Sequence, residues 1–305
     1  MKYSLLDKAI HKDKFIGRRY VKSTVENRVK LLRFRESFNR PTIEKRTKIA
    51  QEMASLAPYE VRNSDGYLVV PDADFPQLPY MIDHANKVVA ENNVEKLRKN
   101  KKAQLMTGLL KKNTLDIDNP FVEFATSEAI VSTVSNYLGM IPILTKIDIW
   151  YSKATGSDTF QNSQLHHCDF ESYRQLKLFI YCTDVPKESG PLVLIDADNS
   201  DKIQKKIDYR FGQKVEDRII DPVCPPEQQL VATGSKGNMI FADTSRCFHY
   251  GSRVAGEGVP RIVILLQYLR PQSFLLPLKF QNNSPFSSFA KADMPAYKRL
   301  LLGAE

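Results

Sequence analysis

Residues 164–173 read QLHHCDFESY. A chain with only five histidines sets two of them side by side there, with an aspartate two positions beyond the second. If the stretch is a strand, side chains alternate between faces, so His167 and Asp169 point one way while His166 and Cys168 point the other. The first pair could share a metal ion, and His166 is then expected to turn away as a satisfied core or surface histidine. Two imidazoles and one carboxylate on a single octahedral face leave three coordination positions free, enough for dioxygen.

The third ligand has to come from far along the chain. His11 lies in a basic N-terminal region and His84 in a helical pattern, PYMIDHANKVV, whereas His249 sits in DTSRCFHYGSR directly after an apolar, strand-like run. Eighty residues separate it from Asp169, room for several strands to fold the two segments together. Twelve positions beyond His249, Arg261 opens RIVILLQYL, an apolar strand whose first residue is a fixed positive charge. A guanidinium grips a carboxylate through two parallel hydrogen bonds, so at the inner end of a barrel it could hold a dicarboxylic acid beside the metal.

The flanking sequence sets these residues in a β-rich half. From about residue 141 the chain reads as short strands with Gly and Pro punctuation, at 141–152, 164–170, 176–184, 192–196, 230–232, 238–242, 247–250 and 261–269. That pattern predicts a sandwich or barrel. Residues 200–229, rich in charge, read as a long insertion at one rim. Upstream, apolar spacing near 3.6 predicts helices over 25–38, 42–57, 77–99 and 120–138, with Asp65-Gly66 as a turn before a short strand at 67–70. The tail after Pro271 is expected to pack on the body as an irregular segment that finishes in a short helix near PAYKRLLLG.

Composition narrows the class. Apolar residues at 42% and charged residues at 26% describe a globular chain rather than a disordered one. The longest wholly aliphatic run, IVILL at 262–266, is far short of the roughly 20 residues that span a bilayer, so no membrane span is expected. After Lys2 only a short apolar patch precedes HKDKF, which is not the core of a secretory signal, so a cytoplasmic protein is expected. Cys168, Cys182, Cys224 and Cys247 are scattered without a C-x-x-C pair, which reads as reduced thiols.

Of 44 basic and 35 acidic residues, 15 and 5 fall within residues 1–50, leaving 29 and 30 for the rest. The whole excess of +9 is therefore N-terminal. It could attract an anionic partner or substrate, but no nucleic-acid module accompanies it, and nucleic acid is not the expected partner.

In order, H-x-D at 167–169, LFIYCTDVPKESGPLVLI at 178–195, KGNMIFADTSRCFHYGSR at 236–253 and Arg261 resemble the phytanoyl-CoA dioxygenase family of iron(II)- and 2-oxoglutarate-dependent oxygenases. DGYLVVP at 65–71 and SNYLGMIPIL at 135–144 fit the same layout, so the resemblance covers roughly 60–271. It implies a mainly β fold with α-helices: a double-stranded β-helix, or cupin-like jelly roll, wrapped by N-terminal helices. The chain would divide into a basic helical extension (1–59), the dioxygenase jelly roll (60–271) and a C-terminal tail on the barrel (272–305).

The resemblance implies Fe(II) on His167, Asp169 and His249, and the distal carboxylate of 2-oxoglutarate on Arg261 with help from Ser252. Dioxygen is the second co-substrate and ascorbate a candidate reductant. Ser252 and Arg261 each arrive about one residue later than the family pattern, which predicts a bulge between His249 and Ser252. The implied reaction is hydroxylation of a small molecule, with an anionic one as a candidate, and release of succinate and CO2; an intact Asp169 argues against halogenation. Tyr151 and Trp150, Tyr173, and the cations Lys146, Lys177 and Arg253 are the expected substrate contacts. Two other classes compete: a metal-dependent isomerase or hydrolase of the same fold without 2-oxoglutarate, and a non-catalytic relative that docks on an anionic partner through its basic N-terminus.

Overall fold

RIVILLQYL has no polar alternation because the strand it forms, β9, is covered on both faces. In the computed structural model, which describes residues 25–97, 105–110, 115–153, 159–169, 171–210, 212–254, 256, 258–271 and 285–304, β9 (Arg261–Leu269) lies inside a six-stranded antiparallel sheet. The sheet also holds β1 (Tyr67–Val70), β2 (Thr107–Gly108), β3 (Ile143–Ser152), β4 (Gln175–Tyr181) and β7 (Met239–Ala242), in the order β1-β7-β4-β9-β3-β2. A smaller sheet, β6-β5-β8, joins Leu230–Ala232, Leu192–Leu194 and His249–Tyr250. The architecture is the expected jelly roll with helices around it.

Alternation along the central strands assigns each side chain to one of two interiors. Ile262, Ile264, Leu266 and Tyr268 of β9, with Leu176, Leu178 and Ile180 of β4, face a helical layer. That layer is built from α2 (Arg40–Glu52), α3 (Leu78–Glu91), α4 (Pro120–Ala125), α5 (Glu128–Leu138) and a C-terminal helix, α7 (Ala296–Leu302). On the other face Val263, Leu265, Phe179 and Tyr181 meet Leu192, Leu194 and Ala232 of the small sheet. Arg46 of α2 is fully buried and ties three distant pieces together, donating to the carbonyls of Ile141 (2.9 Å), Pro142 (3.1 Å) and Leu300 (3.0 Å). A buried guanidinium of this kind is tolerable because both of its terminal nitrogens donate to carbonyls.

Several expected elements break where short polar side chains compete for helix carbonyls. The helix predicted over 77–99 stops at Asn92, which is extended (φ −93°, ψ 136°) and donates its side-chain amide to Val88 O at 2.7 Å. The helix predicted over 120–138 divides into α4 and α5 at Ser127, whose backbone is extended and whose hydroxyl donates to Phe124 O at 2.8 Å. α5 ends, as expected, at Gly139 in the left-handed region (φ 74°). The predicted helix over 25–38 is α1 (Val25–Ser37). Residues 1–24, with His11 and much of the basic excess, and the tail segment 272–284 lie outside the described residues.

Across its described residues, 164–169, the strand predicted over 164–170 does not form. A 3-10 turn, Asn162–Gln164, leads into an extended segment held by single bridges to Val215 on one side and His249 on the other. Two different partners, each met at one residue, prevent a continuous ladder. Behind this segment the 200–229 region carries α6 (Ala197–Lys206) into position and packs Ile203, Tyr209, Val215, Ile220 and Cys224 against Cys168 and Phe248. All four cysteines are buried free thiols.

Candidate metal centre and its cavity

The alternation expected of 166–169 survives without the strand. His167 and His249 exchange both backbone hydrogen bonds, each 3.0 Å, so they form a directly opposed antiparallel pair. Opposed side chains share a face, which brings the two imidazole centroids to 4.3 Å. Asp169 N–H donates to Thr244 O at 2.7 Å, fixing the carboxylate beside them. Its oxygens lie 3.9 Å from His167 Nε2 and 3.7 Å from His249 Nε2. One ligating atom from each residue lies within 4.8 Å of the others, a cluster able to hold a metal ion.

Tautomers follow from the backbone. His167 Nδ1 is 2.8 Å from Leu165 O and His249 Nδ1 is 3.1 Å from Cys247 O. A carbonyl can only accept, so each Nδ1 carries the proton and each Nε2 keeps its lone pair for a metal. Burial drives the His249 pKa down to about 4 against a smaller upward pull from Asp169. Burial and then the neighbouring imidazole put His167 well below the ordinary histidine range. Both rings are therefore neutral at neutral pH, the form that coordinates. Burial alone would raise Asp169, but the Lys177 ammonium, 2.5 Å away, joined by the two imidazoles once acid protonates them, outweighs it and holds the carboxyl well below the usual carboxylate range.

The triad opens into a cavity of about 390 Å³ between the sheets. Its walls are the inward rows of three strands: Lys146 and Trp150 of β3, Lys177, Phe179 and Tyr181 of β4, and Arg261, Val263, Leu265 and Gln267 of β9. Arg261 is 7% exposed; its Nη2 donates to Ser252 Oγ at 3.0 Å, while its Nε is buried without a partner. Ser252 Oγ is also 3.0 Å from Ser152 Oγ. A cavity-lining arginine with an orphaned N–H, beside two free imidazole lone pairs and a carboxylate, is a donor set that fits a divalent metal with an acidic co-ligand.

Ser252 reaches Arg261 by a different route from the expected bulge. Leu194 pairs with His249, Val193 with Tyr250 and Ser189 with Val254, all in one register, so no net residue is inserted. Instead β8 ends at Tyr250 and Ser252 adopts φ 62°, in the left-handed region. Its N–H donates to Gly190 O at 3.1 Å. Gly190 is itself left-handed (φ 65°), and a Cβ there would sit 2.7 Å from Arg253 N, so the close crossing requires glycine.

Of the expected substrate contacts, Trp150, Lys146 and Lys177 line the cavity, and Tyr151, Tyr173 and Arg253 do not. Tyr151 follows Trp150 and so faces the helical core. Tyr173 hydrogen-bonds Glu36 of α1 at 3.3 Å under Arg270. Arg253 grips Asp217 with two 2.8 Å hydrogen bonds and lies over the rings of Tyr250 and Phe160. Glu171, Tyr181 and Gln267 line the cavity unforeseen. For the last two, extending the inward alternation of β4 and β9 from Lys177 and Arg261 would have found them.

No family model matches the sequence, and no curated protein matches it. Solved structures do share its shape. EctD from S. alaskensis in its apo form superimposes with a TM-score of 0.52 at 16% identity, over 71% of this chain and 79% of that one. EctD with 2-oxoglutarate and 5-hydroxyectoine gives 0.51 at 16% identity, over 80% and 87%. The epimerase SnoN, in complex with Fe3+, alpha ketoglutarate and nogalamycin RO, gives 0.47 at 16% identity, over 73% and 84%. What this chain has in common with EctD at that identity is the fold.

Proposed function

We propose that the chain is a non-haem iron(II)- and 2-oxoglutarate-dependent dioxygenase, of the kind its sequence resembles in the phytanoyl-CoA dioxygenase family, hydroxylating a small molecule. His167 and His249 give their Nε2 atoms and Asp169 an oxygen to the iron. Arg261, steadied by Ser252, takes the distal carboxylate of 2-oxoglutarate. Bound iron supplies dioxygen activation coupled to oxidative decarboxylation of the co-substrate, with succinate and CO2 released. The apolar walls formed by Trp150, Phe179, Leu192, Val263 and Leu265 exclude water and shape the substrate's seat. EctD, similar in fold, has been solved with 2-oxoglutarate, which supports the same co-substrate here.

One observation carries the reading: three ligands drawn from 167–169 and 249 share a cavity with a buried arginine whose Nε lacks a partner. The test is anaerobic addition of Fe(II) and 2-oxoglutarate to the purified chain. A weak visible charge-transfer band followed by succinate release in air is expected; its absence at saturating co-substrate overturns the assignment.

A further inference from the structure

Lys177 has no evident duty in the fold. It stands on β4 opposite Gln267 of β9, in the inward row that continues as Phe179 and Tyr181. An apolar residue would extend that row and pack with its neighbours. Instead an ammonium with only 8% of its side chain exposed lies 2.5 Å from Asp169 Oδ2. Burying a cation there is costly unless it is paired, and its hydrogen-bonding partner is a carboxylate that the metal also needs. Arg261, Lys146 and Lys214 add further positive charges to the same cavity, with Glu171 as its second carboxylate.

Resting on the dioxygenase reading, we propose that Lys177 is a positioning residue that competes with the metal for Asp169. Its ammonium satisfies the carboxylate in the metal-free chain and, by like-charge repulsion, holds metal affinity down until a dianionic 2-oxo acid enters. One carboxylate of that acid meets Arg261, and the charge of the other offsets the crowding of ammonium and dication around Asp169. Metal and co-substrate then bind cooperatively, each raising the affinity for the other by the same factor.

The experiment titrates full-length protein with Co(II), an air-stable probe, with and without 2-oxoglutarate, by calorimetry and by the visible d–d spectrum. In the unaltered chain the co-substrate tightens Co(II) binding on the order of tenfold or more. Lys177→Met binds Co(II) alone on the order of tenfold tighter than the unaltered chain, gains less from 2-oxoglutarate, and Lys177→Arg restores the original pattern. Lys177→Gln, which keeps a hydrogen bond to Asp169 without the charge, gives the same answer if the methionine variant does not fold. Folded Met or Gln variants that bind Co(II) no tighter than the unaltered chain overturn the role of Lys177 while leaving the dioxygenase reading standing. Failure of the unaltered chain to bind Co(II) with or without 2-oxoglutarate removes that reading and this inference with it.

Discussion

Arg253 and Arg261 draw their guanidinium groups into the protein on opposite sides of the segment 166–169, and their surroundings differ in one respect. Behind the segment, Arg253 is saturated by a bidentate pair with Asp217, a 2.7 Å hydrogen bond to Gln164 O and two aromatic faces. His166 belongs to the same side, 3.2 Å from Gln229 Oε1 and 3.1 Å from Asp217, with Tyr250 across its ring. In front, Arg261 keeps an N–H unpaired and His167 keeps a lone pair unpaired. Behind the segment His166 Nδ1 still makes no hydrogen bond, but it lies 3.1 Å from the Asp217 carboxylate, whereas in front the Arg261 Nε has no partner; the better-paired side holds the structure together and the less-paired side is built for a ligand.

The sharpest way to break this division is to remove matched residues from its two sides. His249→Ala is expected to weaken Co(II) binding by on the order of a hundredfold or more, since an inner ligand should count for at least as much as the groups that orient it. His166→Gln should leave that affinity within about twofold, because the ring faces away from the metal. Equal losses in the two calorimetric titrations would mean that the wall between the regions does not separate their roles.

The arginines provide the next contrast. Arg261→Met should weaken 2-oxoglutarate binding on the order of a hundredfold through loss of a charge-assisted pair, while leaving the melting temperature of the metal-free protein unchanged or raised. Arg253→Met should do the reverse: it strands Asp217 and uncovers two rings, costing about 2–3 kcal/mol of stability, with co-substrate affinity retained. Thermal melts and binding isotherms on both variants decide it, and a drop in stability for Arg261→Met would undo the contrast.

The clustering of His167, Asp169 and His249 was legible in the sequence because it depends on alternation: H-x-D puts two side chains on one face whether or not the segment joins a ladder. Arg261 was legible for a related reason, as a fixed positive charge opening an otherwise apolar strand. Arg253 was not, because its partner Asp217 comes from the 200–229 segment and nothing in the sequence couples them. Tyr151 failed by one residue of strand phase; Trp150 and Tyr151 necessarily face opposite interiors, and only the pairing with β9 says which is which. The bulge expected near Ser252 was a count of residues, whereas the structure solves the same spacing with two left-handed residues facing each other.

The smallest expected difference is in acid stability. A histidine buried in its neutral form adds nothing to stability above its unfolded pKa and becomes a liability below it, because the unfolded chain takes up a proton that the fold refuses. With its folded pKa near 4, His249 should make the metal-free protein lose stability as pH falls from about 6.5 toward about 4, by about 1.4 kcal/mol per pH unit at the steepest. His166 is also lowered by burial, but Gln229 and Asp217 pull it back toward its ordinary value, so it should contribute a shallower limb. Denaturant melts of the metal-free protein across that window should therefore flatten more for His249→Gln than for His166→Gln. If the two variants flatten the curve equally, the unpaired side of the segment carries no more strain than the paired one, and the contrast between the two regions reduces to where the metal happens to fit.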